Sequence, residues 1–155
     1  MGPKPVAASQ VITTNLVLPN DTNQLGNLLG GTLMHWIDIV AAIAAQRHSD
    51  RVCVTRSVDE LNFHHPVRLG DIVTLQASVN RAFRSSMEIG VVVTAQSRAA
   101  TGVLRANNAY LTFVAIDESG APVPVPPVIP VTEDEKRRYE EALARRELRL
   151  RNRRP

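Results

Sequence analysis

The sequence predicts an α+β domain in which one long helix packs against an antiparallel sheet. Three observations predict it: an almost entirely apolar helical segment over residues 32–48, later segments with the two-residue alternation of strands, and short polar turns between them. The chain of 155 residues suits one compact domain, and its 44% apolar and 21% charged residues are typical of a folded protein.

Residues before the helix divide into a tail and a strand. Residues 1–10 contain two prolines and small side chains, so we expect a flexible N-terminus. Residues 11–18 are rich in β-branched side chains and predict the first strand. Turn formers at residues 19–23 then lead to the Gly30-Gly31 pair, where the helix begins. Because this helix is apolar on all sides, we expect it to be buried.

Strands make up the rest of a domain that we place at residues 11–121. Residues 52–63 and 103–117 predict one strand each, and the alternating segments 72–81 and 87–96 predict a hairpin around a short polar link. A sheet of this kind exposes an edge strand. We therefore expect two copies of the chain to pair through a sheet edge.

The C-terminal region carries the net charge. Residues 122–131 form a Pro-rich connector that is expected to be extended and to lie on the surface, and residues 132–155 are expected to form a charged helix with a basic tail, capped by Thr132 and Glu135. The segment 133–155 holds nine Lys or Arg and six Asp or Glu, which equals the whole net charge of +3. Because the body is then neutral, no nucleic-acid partner is predicted.

Several classes of protein lack support in the sequence. One cysteine, Cys53, excludes a disulfide framework and a cysteine-built zinc site. The adjacent His64 and His65 would point to opposite faces of a strand, so no metal site is predicted. Membrane-spanning segments, a secretory signal, a nucleophile elbow and phosphate-binding or dinucleotide-binding glycine motifs are not found, and we expect a cytoplasmic protein.

Asp38 is the most informative residue, since it lies in the middle of the apolar helix. An unpaired buried carboxylate is costly, so the sequence favours a functional role for it over a cap or a buried salt bridge. His35 lies three residues earlier on the same face of the helix and is the one local candidate partner for the Asp38 carboxylate. A histidine packed in the core or in an interface would explain this residue as well.

The start of the helix supplies a second feature. Free N–H groups and the positive end of the helix dipole at Gly30-Gly31 attract an oxyanion or polarise a carbonyl, although close packing against the sheet would also explain two glycines. Asn27 precedes the pair and Asp38 follows two turns later. An orienting amide, an oxyanion site and a base therefore occur together.

The chain resembles the hotdog-fold acyl-CoA thioesterases of the cytosolic acyl-CoA hydrolase family over residues 11–150. The resemblance rests on the order and spacing of four runs of residues. They are Asn27-x-x-Gly30-Gly31-x-x-Met34-x-x-x-Asp38, Thr55-x-Ser57-Val58-Asp59-x-x-Asn62-Phe63-x-x-Pro66-x-x-x-Gly70-Asp71, Arg84-Ser85-Ser86-Met87 and Phe113-Val114-x-x-Asp117-x-x-Gly120.

This resemblance implies a long central helix wrapped by a five- to six-stranded antiparallel sheet, with dimerisation by sheet continuation and assembly as a trimer of dimers. It implies hydrolysis of fatty acyl-CoA to free fatty acid and CoA, with no cofactor beyond the substrate. Two alternatives remain open at this point. One is a hotdog dehydratase that uses His35 as its principal base, and the other is a non-catalytic module that binds or senses acyl-CoA.

The resemblance also implies roles for individual residues. Asp38 acts as general base or nucleophile, Asn27 reaches the site from the other subunit, and the backbone at Gly30 and Gly31 forms the oxyanion site. The CoA-binding turn is Arg84, Ser85 and Ser86, which without the resemblance is an ordinary polar hairpin.

Two positions depart from the family. Phe83 replaces a glycine of many bacterial relatives, and Leu29 replaces a phenylalanine. We therefore expect a different acyl-chain preference.

Overall fold

The computed structural model describes residues 1–59, 61–62, 65–98 and 105–153. Nine helices and strands follow in the order β1 (Lys4–Pro5), β2 (Val11–Leu16), α1 (Gly30–Ser49), β3 (Val52–Val58), β4 (Ile72–Ala82), β5 (Ser86–Gln96), β6 (Arg105–Ile116), β7 (Val128–Ile129) and α2 (Glu133–Arg151). Short 3₁₀ turns span Val6–Ser9 and Pro19–Asp21.

The main sheet has five antiparallel strands in the order β2-β4-β5-β6-β3. Alternate residues of its strands point toward α1, and this helix packs against all five strands. The largest buried side chains of this interface include Ile37 on the helix and Leu75, Met87 and Phe113 on the sheet. The predicted hotdog arrangement is confirmed, with α1 as the central helix.

Helix α1 is longer than predicted, and one side of it is exposed. Gly31, His35 and Ile39 lie four residues apart, on one stripe, and all three are exposed; Ile39 keeps 48% of its surface. The expectation of a fully buried helix is wrong for the single chain, because the sheet covers α1 from one side only. The helix ends at Asp50, whose left-handed φ of 57° closes the last turn.

Helix α2 packs on the opposite, outer face of the sheet. Its N-terminus has the predicted capping box between Thr132 and Glu135. Glu88 on β5 is fully buried beneath the helix, and Arg145 binds it through contacts of 2.7, 3.0 and 3.2 Å. Asn80 donates to the same carboxylate at 3.0 Å, and Arg149 lies 3.3 Å from it. The charged helix is therefore fixed to the body by buried ion pairs.

The N-terminus is not the flexible tail that its composition predicts. β1 pairs in parallel with β7, and Val6 is buried in the core. Ser9 is also buried, and its hydroxyl accepts a hydrogen bond of 2.9 Å from the Val79 amide. Because these groups are held by the sheet and the core, the two prolines do not leave the segment free.

The Pro-rich connector packs on the body more tightly than a surface connector would. Val125 and Val128 are buried, and the imidazole Nε2 of buried His48 donates to the Pro126 carbonyl at 2.7 Å. Burial lowers the pKa of His48, which fits this neutral tautomer. The apolar residues that lie between the prolines make these contacts with the body, and overall composition does not reveal this arrangement.

In the described part of the chain, the helices are too short or too polar to cross a bilayer. The same residues contain no cluster of three or more His, Cys, Asp or Glu side chains suited to a metal ion. Cys53 is half-buried against the Ser49 hydroxyl at 3.2 Å, and burial raises the pKa of its thiol. The predicted pair His64-His65 falls partly outside the described residues.

Candidate active site

The carboxylate of Asp38 lies on α1 and faces the edge strand β3. It is partly buried, and the hydroxyl of Thr55 donates to its Oδ1 at 2.6 Å. Among the described residues, no cation lies within ion-pair distance of Asp38 and no group binds its Oδ2. The alternative of a buried salt bridge therefore has no support here, and the second oxygen remains able to accept a proton or attack a carbonyl.

A compact loop before α1 is built around Asn23. Its Oδ1 accepts hydrogen bonds from the amides of Leu25 at 2.9 Å and Asn27 at 3.1 Å. Gly26 has a φ of 76°, in the left-handed region that favours glycine, and this turns the chain back toward Asn23. Since the oxygen is fixed by two donors, the amide nitrogen of Asn23 is the end of the side chain left to donate.

Asn27, the predicted site asparagine, lies at the other end of this loop. Its backbone carbonyl accepts from the Asn23 amide at 2.9 Å, and it forms a bridge with Arg68. The side chain is half-buried, and its Oδ1 is a buried atom without a hydrogen-bond partner among the described residues. Asn23 and Asn27 are therefore joined by backbone and side-chain hydrogen bonds within one loop.

The helix start carries the predicted donor groups. Leu29 is the N-cap residue and its side chain makes no capping hydrogen bond, so the first amides of α1 lack the usual internal acceptor. A Cβ atom added to Gly31 would meet nothing within 4 Å. Close packing within the chain does not require glycine there, and a ligand can approach the backbone.

The structure does not bring Asp38 and Gly31 together within one chain. Seven residues of α-helix place them about 10 Å apart along the axis, on nearly the same face. The free N–H groups at a helix start point along the axis, away from later turns such as that of Asp38. His35, the base of the dehydratase alternative, is exposed and lies between them on the uncovered side of α1.

Arg84, Ser85 and Ser86 form the turn between β4 and β5, as predicted. The Phe83 amide donates to the Ser86 carbonyl at 2.8 Å, which closes the turn, and Arg84 is exposed. Ser85 and Ser86 line a cavity of about 620 Å³ on the outer side of the sheet, whereas Arg84 does not. Two of the three residues of the predicted CoA-binding turn thus border this cavity.

Two residues of the site were not assigned a role from the sequence. Thr55 begins the second run of residues that resembles the family, but its contact with Asp38 spans 17 positions and depends on how β3 crosses the helix. Asn23 was interpreted only as a turn former. The sequence signal for Asn23 is the Asx turn, in which an asparagine side chain accepts a hydrogen bond from the backbone amide two residues later.

Family models, curated proteins and solved structures all indicate the same family for this chain. The model of the Thioesterase superfamily matches residues 25–101. An uncharacterized acyl-CoA thioester hydrolase of Bacillus subtilis, YkhA, is 43% identical over 127 residues, which cover 82% of this chain and 74% of that protein. A hexameric acyl-CoA thioesterase in its apo form superposes with a TM-score of 0.92 at 42% identity, covering 97% of both chains.

The acyl-CoA hydrolase of Staphylococcus aureus is similar as well. Its structure with butyryl-CoA, CoA and CoA disulfide has a TM-score of 0.88 at 38% identity, over 95% of this chain and 90% of that one. Structures of this hydrolase have also been solved with an asparagine, an aspartate or a threonine replaced by alanine. The aspartate lies 15 residues after the asparagine, and the threonine lies 17 residues after the aspartate.

Mammalian relatives are longer proteins. The chain spans 24% of the length of mouse acyl-coenzyme A thioesterase 11 and 38% of the rat cytosolic acyl-CoA thioester hydrolase, while these matches cover 92% of this chain. The bacterial relatives, by contrast, are of similar length. With the family model, the bacterial relative and the superposed structures in agreement, the chain belongs to the Thioesterase superfamily, among its hotdog-fold acyl-CoA thioesterases.

Proposed function

We propose that this protein hydrolyses acyl-CoA thioesters to a carboxylic acid and CoA. The observation that carries the proposal is the Asp38 carboxylate, partly buried, free of an ion pair in the described structure and oriented by the Thr55 hydroxyl at 2.6 Å. A carboxylate held this way on a helix of the family fold suits attack on a thioester. The names of the bacterial and mammalian relatives support the same reaction.

Two routes are compatible with this carboxylate. In one, Asp38 removes a proton from a water molecule, which attacks the carbonyl carbon and releases the CoA thiolate. In the other, an Asp38 oxygen attacks directly, and water then hydrolyses the resulting anhydride. In both, amides at Gly30 and Gly31 stabilise the charge that develops on the carbonyl oxygen. Neither route requires a cofactor.

We assign the orienting amide to Asn23 and keep Asn27 as the alternative. The three substituted positions of the S. aureus hydrolase have the separations of Asn23, Asp38 and Thr55 in this chain, namely 15 and 17 residues. The hydrogen bonds at Asn23 Oδ1 agree, because they leave an N–H donor for the substrate or water. For Asn27 there is no such pair of contacts: its Oδ1 is buried without a partner among the described residues.

The site is proposed to form between two copies of the chain. Gly31 of the same helix points its amide away from Asp38, so the carboxylate needs the helix start and the asparagine of a partner. The uncovered stripe of Gly31, His35 and Ile39 is the surface that such a partner would bury. We propose dimerisation by sheet continuation and a trimer of dimers, in line with the hexameric relative.

Arg84, Ser85 and Ser86 are proposed to contact the CoA part of the substrate, since guanidinium and hydroxyl groups suit phosphate and amide oxygens. The exposed position of Arg84 leaves its guanidinium available for such a contact. A cytoplasmic location is part of the proposal, as several relatives are named cytosolic hydrolases.

Release of free thiol from a panel of short- to long-chain acyl-CoAs tests the proposal, with wild type and Asp38→Asn measured side by side. We expect turnover by the wild type and loss of most of it in the variant, with an unchanged far-UV circular dichroism spectrum. Near-normal activity of Asp38→Asn would contradict the proposed role of Asp38. No thiol release by the wild type, together with retained CoA binding, would favour the non-catalytic binding module.

A further inference from the structure

Four exposed leucines are attached to the loop that carries Asn23. They are Leu18, Leu25, Leu29 and Leu69, and each keeps between 40% and 72% of its surface accessible. Their backbone groups join them to this loop, each in a hydrogen bond of 2.9 Å. The partner groups in the loop are the Asp21 amide for Leu18, Asn23 Oδ1 for Leu25, the Asp21 carbonyl for Leu29 and the Gly26 carbonyl for Leu69. Exposed apolar side chains grouped in this way are typical of a binding surface.

Leu25 and Leu29 lie nearest to the groups of the proposed chemistry. The Leu25 amide donates to Asn23 Oδ1, so this leucine is part of the turn that orients the asparagine. Leu29 is the N-cap residue of α1 and directly precedes the amides of Gly30 and Gly31, the proposed oxyanion site. Because two residues of chain span at most about 7 Å, each leucine lies within reach of a substrate bound by its neighbouring group.

Folding of the single chain leaves these two side chains exposed on an ordered support. The residues between them, Asn27 and Leu28, are half-buried, and Leu28 packs against the core, whereas Leu25 keeps 72% of its surface. The Leu28 amide donates to the Val67 carbonyl at 2.7 Å, which anchors the loop to the body. Because the support is already fixed, binding of a ligand does not have to order the loop.

The substrate of the proposed reaction supplies a matching apolar group. Its acyl chain is bonded to the carbonyl whose oxygen the amides of Gly30 and Gly31 would bind, and the chain therefore begins beside Leu29. Each methylene group that is buried strengthens binding about fourfold. Exposed leucines next to the groups that hold the carbonyl are suited to this burial.

Leu29 is also one of the two positions at which the chain departs from the family pattern. The other, Phe83, has the guanidinium groups of Arg146 and Arg81 over its ring, at 4.2 and 5.9 Å from the ring centroid. Phe83 therefore belongs to the outer side of the sheet, with α2. Of the two departures, Leu29 is the one that lies beside the proposed site.

We propose that Leu25 and Leu29 bind the acyl chain and determine which chain lengths are hydrolysed. The inference rests on the proposed function, which places the thioester carbonyl at the start of α1. Because Asn23 and the helix-start amides serve the Asp38 of a second copy, the two leucines act on the reaction of that copy. Each active site then takes its carboxylate from one chain and its acyl-binding surface from the other.

A series of saturated acyl-CoAs from acetyl-CoA to palmitoyl-CoA tests the proposal. Leu25→Ala and Leu29→Ala should each lower the ratio of kcat/KM for lauroyl-CoA to kcat/KM for acetyl-CoA roughly tenfold, since each removes apolar contact that only the long chain makes. Leu29→Phe should move the optimum to a shorter chain, because the larger ring occupies part of the path. Leu148→Ala is the matched control, since this leucine is comparably exposed, at 52%, but lies on α2, and it should not change the ratio.

Mixed subunits show which chain supplies the leucines. In a mixture of Asp38→Asn and Asn23→Asp chains, the intact site of a hybrid pair takes its loop from the first chain and its carboxylate from the second. Adding Leu29→Ala to the Asp38→Asn chain should lower the lauroyl-to-acetyl ratio of the mixture roughly tenfold, whereas adding it to the Asn23→Asp chain should leave the ratio unchanged. A change of the ratio by the second placement would overturn the proposal.

Binding to the Asp38→Asn protein needs no turnover, with the dodecyl and methyl thioethers of CoA as probes. Leu25→Ala combined with Leu29→Ala should weaken binding of the dodecyl probe about 100-fold relative to that of the methyl probe. An equal loss on both probes, a loss of the oligomer in light scattering, or no difference from Leu148→Ala would overturn the proposal. A wild type that binds the dodecyl probe more tightly than the methyl probe, but releases no thiol from any acyl-CoA, would contradict the proposed function and leave the leucine assignment supported.

Discussion

Thr55 Oγ1 donates a hydrogen bond of 2.6 Å to Asp38 Oδ1 and so joins the edge strand β3 to the middle of α1. The contact fixes one carboxylate oxygen and leaves the other free in the described structure. It also connects the inner face of the sheet to the bulge that directs Arg56 outward. The proposed catalytic carboxylate is therefore oriented by a side chain from the edge strand of the sheet.

Replacing Thr55 by valine should lower kcat and leave KM nearly unchanged. Valine has the same shape without the hydroxyl, and a hydrogen bond to a charged group is worth about 1.5–3 kcal/mol, which corresponds to a loss of roughly 10- to 100-fold. Thr55→Ser keeps the donor and should retain most activity. Steady-state kinetics of both variants check this, and full activity of Thr55→Val would contradict the orienting role.

The two asparagines should differ in their effect on turnover. Asn23→Asp keeps the oxygen that accepts from Leu25 and Asn27 but removes the amide donor, so it should lower kcat roughly 10- to 100-fold in a folded protein. Asn27→Ala should be less severe than Asp38→Asn. If Asn27→Ala abolishes turnover while Asn23→Asp does not, the orienting amide belongs to Asn27.

The buried pair of Glu88 and Arg145 should be important for stability. Arg145→Met leaves a fully buried carboxylate with only Asn80 and the more distant Arg149, and it should lower the free energy of unfolding by about 3–5 kcal/mol. Adding Glu88→Gln should recover part of the loss. In urea unfolding, the exposed pair of Arg138 serves as comparison and should cost about 1 kcal/mol or less. Equal stabilities of Arg145→Met and Arg138→Ala would refute this account of α2.

His48 should make the protein less stable below neutral pH. Burial lowers its pKa below the ordinary value of about 6.5, with a smaller lowering by Lys4, while the Pro126 carbonyl and Asp50 act in the opposite direction. Below about pH 6.5 the unfolded chain therefore gains a proton that the folded chain resists. Stability falls as pH falls, by at most about 1.4 kcal/mol per pH unit from this group.

His48→Gln is the matched variant, because its amide can still donate to the Pro126 carbonyl but does not titrate. Urea unfolding at pH 7.5 and 5.5 should give a smaller difference for this variant than for the wild type. The same difference in both proteins would mean that His48 does not contribute to the pH dependence.

Much of the fold is predictable from local patterns. Alternation along residues 72–81 and 87–96 gives a hairpin close to the observed β4 and β5, and the capping box at Thr132 gives the start of α2. Proline content is a poor guide at the N-terminus and in the connector. In both places, buried valines and backbone hydrogen bonds to distant elements outweigh the local preference for an extended, solvated chain.

The site is less predictable, because its contacts are long-range. Asp38 stands out in the sequence as a charge on an apolar helix, but Thr55 becomes its partner only through the path of β3. The exposed stripe of Gly31, His35 and Ile39 is indistinguishable from core in an apolar helix. The basic C-terminal segment gives no sign that some of its arginines are buried in ion pairs while others line a cavity.

A mixture of Asp38→Asn and Asn23→Asp subunits tests most directly whether the active site is shared between two copies. Each hybrid dimer would contain one intact site, with Asp38 from one subunit and Asn23 from the other, so an equal, randomly assembled mixture should regain about a quarter of wild-type activity. A mixture of Asp38→Asn and Thr55→Val should show no such gain, because both changes affect the same side of the site. Activity no higher than the average of the separate variants in the first mixture would contradict a shared site.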